Sequence, residues 1–297
     1  MRVTNSMMLR STLRDLNTSL GRLQDSQQRA TTGRANLRMS DSPSATAAAM
    51  GTRQDLRRNE QMGRELQDAK SWLDAADSAL TGGLTLLSRA NDIALAAANT
   101  GGGASQPAAR EAYAAQIRSI RAELLSIANT KVGDRSVFSG NAAGNAFDTT
   151  GAYAGDSGSV VRDVAPSLSI TVNVLGTAAF GTGGTAAGNL FDVLDRLATA
   201  VQAGDPTAIA AEQTNLASAT NTMSSATATI GAQGERIEDI ANRAADDRLR
   251  LQTQLSNVED VDIVQALIES KEQETRYQAS LQVAAKIIPP SLMDFLR

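Results

Sequence analysis

Three short stretches of this 297-residue chain carry residue types that could do chemistry. Residues 151–158 are glycine-rich, as phosphate-binding loops are, but they lack the Gly-Lys-Ser/Thr ending and no helical pattern follows directly. Asp260 and Asp262 are spaced like calcium ligands, yet the glycine and distal glutamate of such a loop are out of register. Asn17 opens a glycosylation sequon inside a predicted helix. Surface turns and helix-surface side chains are therefore the better interpretation.

The chain contains neither cysteine nor histidine. Disulfides, thiolate or imidazole metal sites, and nucleophiles or general bases of these two types are thereby excluded. Carboxylates remain, but nothing in the sequence marks a pair of them as catalytic. We predict that the protein is not an enzyme and has no catalytic residue, no cofactor-binding residue and no metal site.

Composition indicates what kind of elements the chain builds. Aromatic residues make up 3% of the chain, although 42% of it is hydrophobic. Large aromatic side chains supply much of the bulk of a globular core, whereas Leu and Ala suffice to fill the narrow seam between paired helices. We expect slender packed helices; an ordinary alanine-rich helical globule is the alternative.

Heptad spacing predicts a long helix at the N-terminus, because apolar positions recur at intervals of four and three. These positions are Leu9, Leu13, Leu16, Leu20, Leu23, Gln27 and Ala30. Gly33 is placed to end this helix, and Ser42-Pro43 to begin a second one that continues to about Asn99. Gly82-Gly83 is the weak point of the second helix, since each Gly costs about 1 kcal/mol relative to Ala.

Further helical patterns follow in the second half of the chain. One begins near Pro107 and predicts an antiparallel return, another begins at Asn189, and a third begins after Pro206 and continues past Leu251. The final stretch places Ile263, Leu267, Tyr277, Leu281, Ala284 and Ile288 on one predicted face.

Residues 136–188 differ from the rest, being rich in Gly, Ser, Thr, Asn and Ala with short β-type runs. Residues 168–174 alternate apolar and polar side chains, which is typical of a half-buried strand. The predicted fold is mainly α: a long antiparallel helical rod with terminal coiled-coil helices and a small β-rich inserted domain. We expect residues 145–185 to be dispensable for the helical fold.

The two ends carry opposite charge. Residues 1–40 hold seven Arg and two Asp, whereas residues 259–297 hold four Lys or Arg and seven Asp or Glu. The N-terminal helix could also bind anionic lipid or nucleic acid. No apolar run reaches the ~20 residues of a membrane span and no signal-peptide pattern is present. We favour pairing of the two ends, and predict no membrane insertion and no nucleic-acid partner.

Motifs at both ends resemble those of the flagellin superfamily. At the N-terminus they are residues 3–5, Ala30-Thr31-Thr32-Gly33-Arg34 and Ser40-Asp41-Ser42-Pro43; Ser42 stands where a second Asp is usual, and serine caps a helix equally well. At the C-terminus they are residues 258–262, 277–281 and 292–296. Within the superfamily, residues 133–140 around Phe138 and residues 189–194 around Phe191 resemble the hook–filament junction proteins (the hook-associated protein 3 family) more than the flagellins.

The resemblance implies a structural subunit of the bacterial flagellum at the hook–filament junction, required for motility and secreted through the flagellar type III export apparatus. Residues 1–43 and 250–297 would form the terminal coiled-coil region of the inner assembly, residues 44–135 and 189–249 the helical rod domain, and residues 136–188 the β-rich outer insertion. The implied partners are other copies in a ring, hook-associated protein 1, flagellin and a cytoplasmic export chaperone. Flagellin itself and a soluble coiled-coil adaptor remain the alternatives.

The predicted assembly interface follows from the terminal stripes, which need neighbours to be buried. Its residues are Leu9, Leu13, Leu16, Leu20, Leu23, Leu251, Leu255, Tyr277, Leu281, Ile288, Leu292, Phe295 and Leu296.

Overall fold

The computed structural model describes residues 5–99, 107–165, 168–182 and 189–287, without a few side chains at the edges of these ranges. The elements follow in the order α1 (Asn5–Thr32), α2 (Pro43–Asn99), α3 (Pro107–Ala128), β1 (Lys131–Val132), β2 (Arg135–Ser136), β3 (Val161–Ala165), β4 (Leu168–Thr171), α4 (Gly176–Phe180), α5 (Leu190–Ala203), α6 (Pro206–Glu259) and α7 (Ile263–Ile287). The mainly α fold class is confirmed.

The chain divides into two compact units. The terminal unit comprises Met1–Asn59 and Asp246–Arg297, and the central unit comprises Glu60–Ala245. In the terminal unit α1 packs against α7, and in the central unit α3 packs against α5. The core of the central unit consists of leucines, isoleucines and alanines of α2, α3, α5 and α6 together with the phenylalanines of the segment between α3 and α5.

Gly82 and Gly83 do not interrupt α2, which is continuous from Pro43 to Asn99. A Cβ atom on Gly83 would lie 2.9 Å from the sulfur of Met223 on α6 and 3.5 Å from a methyl group of Leu124 on α3. The missing side chain therefore lets three helices of the central unit approach closely, and their packing stabilises a stretch that glycine alone would weaken.

The segment between α3 and α5 contains little sheet. Strands β1 and β2 form one antiparallel pair, and β3 and β4 form another, with Arg162 opposite Ile170. The other described residues of the segment form turns and irregular backbone around the short helix α4. Polar side chains replace strand pairing here: the amide of Asn129 at the end of α3 donates to the Phe147 carbonyl and accepts from the Phe147 N–H, both at 2.9 Å.

Asp156 organises the turns of this segment. Its Oδ1 accepts the N–H groups of Gly158 at 2.9 Å and Asn141 at 2.7 Å, and its carbonyl accepts the Tyr153 hydroxyl at 2.7 Å. These backbone hydrogen bonds, that from Gly158 above all, hold the pKa of Asp156 below its usual 3.8, because they favour the charged carboxylate.

The expectation that residues 145–185 are dispensable for the helical fold stays a prediction, but the packing of the segment argues against it. Phe138, Phe147, Phe180 and Phe191 are all fully buried in one cluster. The Phe147 ring lies 5.4 Å from that of Phe180 and 5.2 Å from that of Phe191 on α5, in edge-to-face geometry. The segment thus contributes much of the aromatic core against which α5 packs.

Candidate assembly interface

The terminal unit is built on the contact between α1 and α7. Leu23 and Ser26 of α1 and Ala266 and Ala284 of α7 are buried within the monomer. Small alanine side chains let two helices approach closely, so the inner face of α7 is narrow. Larger residues of the same helix are then left on its outer face.

The connections that follow α1 and precede α7 are hydrogen-bonded to each other. Gly33 ends α1 with a φ of +69°, a left-handed conformation that suits glycine. The Ala35 N–H then donates to the Glu259 carbonyl at 2.8 Å, and the Val261 N–H donates to the Gly33 carbonyl at 2.9 Å. Arg34 and Asp260 form the antiparallel bridge between them. We call residues 33–35 with 259–261 the connector bridge.

Two caps and one ion pair support the connector bridge. Ser42 Oγ accepts the Ala45 N–H at 3.4 Å at the start of α2, and Asp262 Oδ1 accepts the Val264 N–H at 2.9 Å at the start of α7. Each such cap is worth about 1 kcal/mol. Arg53 pairs with Glu259 at 2.6 Å, and because the pair is partly exposed it contributes at most about 1 kcal/mol. Asp262 thus caps the start of α7, and the Asp260 carboxylate accepts the hydroxyl of Ser256 on α6 at 2.6 Å.

Exposed apolar surface is concentrated in the terminal unit. Among the described residues, large hydrophobic side chains that are strongly exposed in the central unit are Leu95 and Val161, whereas the terminal unit has eleven. Four of these form one cluster at the start of α7, each between 56% and 67% exposed: Ile263, Val264, Leu267 and Ile268. We call these four residues the α7 patch. Its positions i, i+1, i+4 and i+5 share one helix face, and such clusters on a protein surface mark interaction sites.

The predicted interface residues differ in how far the monomer buries their side chains. Leu13 and Leu281 are exposed, Leu16, Leu20, Leu255 and Tyr277 are half-buried, and Leu23 and Leu251 are buried inside the monomer. The side chain of Leu9 and all of Ile288, Leu292, Phe295 and Leu296 lie outside the described residues. A role at an interface between subunits stays a prediction for the whole set.

The sequence pattern missed the α7 patch as a surface. Ile263 and Leu267 were predicted on the same face as Ala284, yet both are exposed, and Ala266 lies on the buried face instead. The available signal was the spacing of four aliphatic residues within the six that follow Asp262. A heptad analysis assigns the large apolar residues to the face that packs against the partner helix. In α7 that face carries alanines instead.

Within the described ranges, no three acidic side chains are grouped so as to hold a metal ion. No described helix is long and apolar enough to cross a membrane.

Comparison with known protein families identifies both ends of the chain. Residues 3–143 match the sequence model of the bacterial flagellin N-terminal helical region, and residues 214–296 match that of the bacterial flagellin C-terminal helical region. Together the two matches cover about three quarters of the chain.

Individual relatives extend the similarity across the middle of the chain. Flagellar hook-associated protein 3 of Escherichia coli (strain K12) is 26% identical over 303 aligned positions, which cover 94% of this chain and 95% of that protein. The fold is similar to that of Bacillus cereus FlgL, with a TM-score of 0.61 at 21% identity over 69% of this chain and 99% of the other. It is also similar to the flagellar junction protein FlgL from Legionella pneumophila, with a TM-score of 0.56 at 17% identity over 72% and 100%.

Proposed function

The chain belongs to the flagellin superfamily, and we propose that within it this protein is the structural subunit that joins the flagellar hook to the filament. Its superfamily is a structural one, located at the flagellum outside the cell, where its members assemble with other flagellar components. The proposed partners are a ring of further copies, hook-associated protein 1 on the hook side and flagellin on the filament side. An export chaperone would bind the C-terminal segment before secretion, and no catalytic activity is proposed.

One observation carries the choice of the junction role over flagellin: the similarity to a hook-associated protein 3 continues through the middle of the chain and matches it in length. The middle contains residues 133–140 and 189–194, the two motifs that resemble the junction proteins more than the flagellins. In the structure both motifs enter a single aromatic cluster, since the ring of Phe180 lies 5.3 Å from that of Phe138 and 6.0 Å from that of Phe191. The two motifs therefore pack into one structural element.

Energetics of the α7 patch suit a protein that assembles on a template. Complete burial of an aliphatic side chain is worth about 1.5–3 kcal/mol, so covering the exposed half of four such side chains supplies roughly 3–6 kcal/mol. A free energy of about 4 kcal/mol corresponds to millimolar affinity. A single contact of this size leaves free copies monomeric, whereas a copy that meets several partners on a growing structure is retained.

Order-of-addition assembly tests the proposal. Hook fragments capped with hook-associated protein 1 receive flagellin alone, this protein alone, or this protein followed by flagellin, and the ends are viewed by electron microscopy. We expect filaments only in the third reaction and a thin collar in the second. Filament growth in the first reaction would contradict the junction role. Long filaments of this protein alone would also contradict it and would identify the protein as a flagellin.

A further inference from the structure

A notch of about 190 Å³ lies in the terminal unit, between the loop after α1 and the first turns of α2. Leu37, Met39 and Met50 line its apolar side, and both methionines are at least half exposed. An apolar cavity of about 150 Å³ accommodates benzene, so the notch has room for one aliphatic side chain. Methionine adapts to irregular partners, which makes this lining suitable for contact with another chain.

Charge distinguishes the notch from the α7 patch. Arg34 and Arg38 stand at the edge of the notch, and within the described part of the chain neither guanidinium group takes part in an ion pair. No acidic residue occurs from position 26 to position 40. Conversely, residues 251–270, which contain the α7 patch, include four acids and no Lys or Arg. Asp260 and Asp262 accept hydrogen bonds only from a serine hydroxyl and from backbone N–H groups among the described residues. Among the described residues Arg34 and Arg38 at the notch and Asp262 beside the α7 patch thus form no ion pair, whereas Glu259, which also lines the notch, pairs with Arg53.

The notch and the α7 patch have no residue in common, and within one chain the α7 patch does not occupy the notch. Both adjoin the connector bridge, so they lie at the same end of α1 and α7. The inner face of α7 is held against α1, which keeps the α7 patch exposed and outside the notch of its own chain. A neighbouring copy of the protein can instead place its α7 patch in this notch.

We infer that in the assembled ring the α7 patch of one copy occupies the notch of the next. Ile263 or Val264 enters the apolar side of the notch, and Asp262 of the same copy faces Arg34 and Arg38. The contact joins two different surfaces, so each copy inserts its α7 patch into one neighbour and accepts the α7 patch of the other neighbour in its notch. Such head-to-tail contacts close into a ring when the rotation between successive copies permits. This inference rests on the proposed function, because it specifies how neighbouring copies in the ring meet.

Cysteine cross-linking tests the contact directly, since the natural chain has no cysteine. Full-length Met39→Cys and Ile263→Cys proteins, one of them carrying a mass tag, are mixed, assembled on capped hook fragments and oxidised. Both positions are more than half exposed in the monomer, so neither substitution disturbs its core. The control mixture pairs Ile263→Cys with Leu95→Cys, a position of the central unit that is 52% exposed, compared with 68% for Met39.

We expect the mixed Met39–Ile263 disulfide as the major product and little of either self-pair or of the control pair. If collars form and accept flagellin, but the mixed product does not exceed the control, the inference is overturned while the junction role stands. Major self-pairing of Ile263→Cys would overturn it as well, because the contact would then join two identical surfaces. If the protein instead grows long filaments, the junction role fails, and the same disulfides read in those filaments still decide the contact.

Charge reversal gives an independent readout that needs no cysteine. Arg38→Glu places an acid opposite Asp262 of the neighbour and leaves the Arg34–Asp260 bridge intact, and we expect addition to hook ends to be about tenfold weaker, with unchanged circular dichroism of the monomer. Arg64→Glu, an exposed position of the central unit, is the matched control. Equal assembly of Arg38→Glu and the control would overturn the inference.

Discussion

Phe147 offers the sharpest test of how the central unit is held together. Its side chain is fully buried and contacts the rings of Tyr153, Phe180 and Phe191 at centroid distances of 5.2 to 5.4 Å. Truncation of a buried Phe to Ala typically costs 3–5 kcal/mol, from lost burial and the cavity left behind. We expect Phe147→Ala to lose about 4 kcal/mol of the free energy of unfolding.

Urea unfolding provides the assay, with circular dichroism reporting the helices and the fluorescence of Trp72 reporting the central unit. Trp72 is the single tryptophan of the chain and is buried on α2, with the guanidinium of Arg135 from β2 5.8 Å from its ring centre. With an m-value of about 2 kcal/mol per molar urea, the midpoint should fall by about 2 M in both signals. Leu95→Ala, at an exposed site, should change stability by no more than about 0.5 kcal/mol.

Two results would refute this reasoning. A loss below about 1 kcal/mol would mean that the aromatic cluster contributes little to the core. A fluorescence transition that shifts while the circular dichroism transition stays in place would mean that the segment between α3 and α5 unfolds separately from the helices.

Three further predictions concern single positions. Gly151→Ala should destabilise the central unit by several kcal/mol in the same urea assay. The reasons are that φ at Gly151 is +93° and that the new Cβ would lie 2.7 Å from the Phe191 Cβ. A change in the free energy of unfolding below about 1 kcal/mol would contradict this prediction. Leu13→Asp should leave monomer melting unchanged and abolish collar formation, whereas Leu23→Asp, at a buried position, should loosen the contact between α1 and α7 in the monomer; unfolding of the first variant would show that Leu13 belongs to the core. The folded pKa of Asp156 is depressed, so the stability that its carboxylate contributes is fully present above pH 3.8 and is lost as pH falls through the lower folded pKa. The difference in free energy of unfolding between wild type and Asp156→Asn should therefore shrink below pH 3.8. A difference that grows on acidification would refute this.

Helix boundaries were predictable because the chain marks them locally. Ser42-Pro43 begins α2, Gly33 follows the last residue of α1, and Pro206 begins α6, as capping chemistry requires. The long α2 was likewise evident from its periodicity. Such signals act over a few residues and do not depend on what the helix packs against.

Packing between distant segments could not be derived in the same way. The four clustered phenylalanines are at positions 138, 147, 180 and 191, which share no period, so nothing local shows that their rings meet. A composition rich in glycine and threonine instead suggested a separable domain. The outer face of α7 was missed for a related reason, since periodicity finds a stripe but cannot tell whether alanines or larger aliphatic residues face the partner helix.

A junction subunit stops after a limited number of copies, and a titration of hook ends measures whether this protein does so. Increasing amounts of purified protein are added to a fixed number of hook fragments capped with hook-associated protein 1, and the axial length of added material is measured by electron microscopy. A junction subunit binds different partners with its two faces, so we expect the length to saturate at one thin collar. Length that keeps increasing in proportion to the protein added would contradict it.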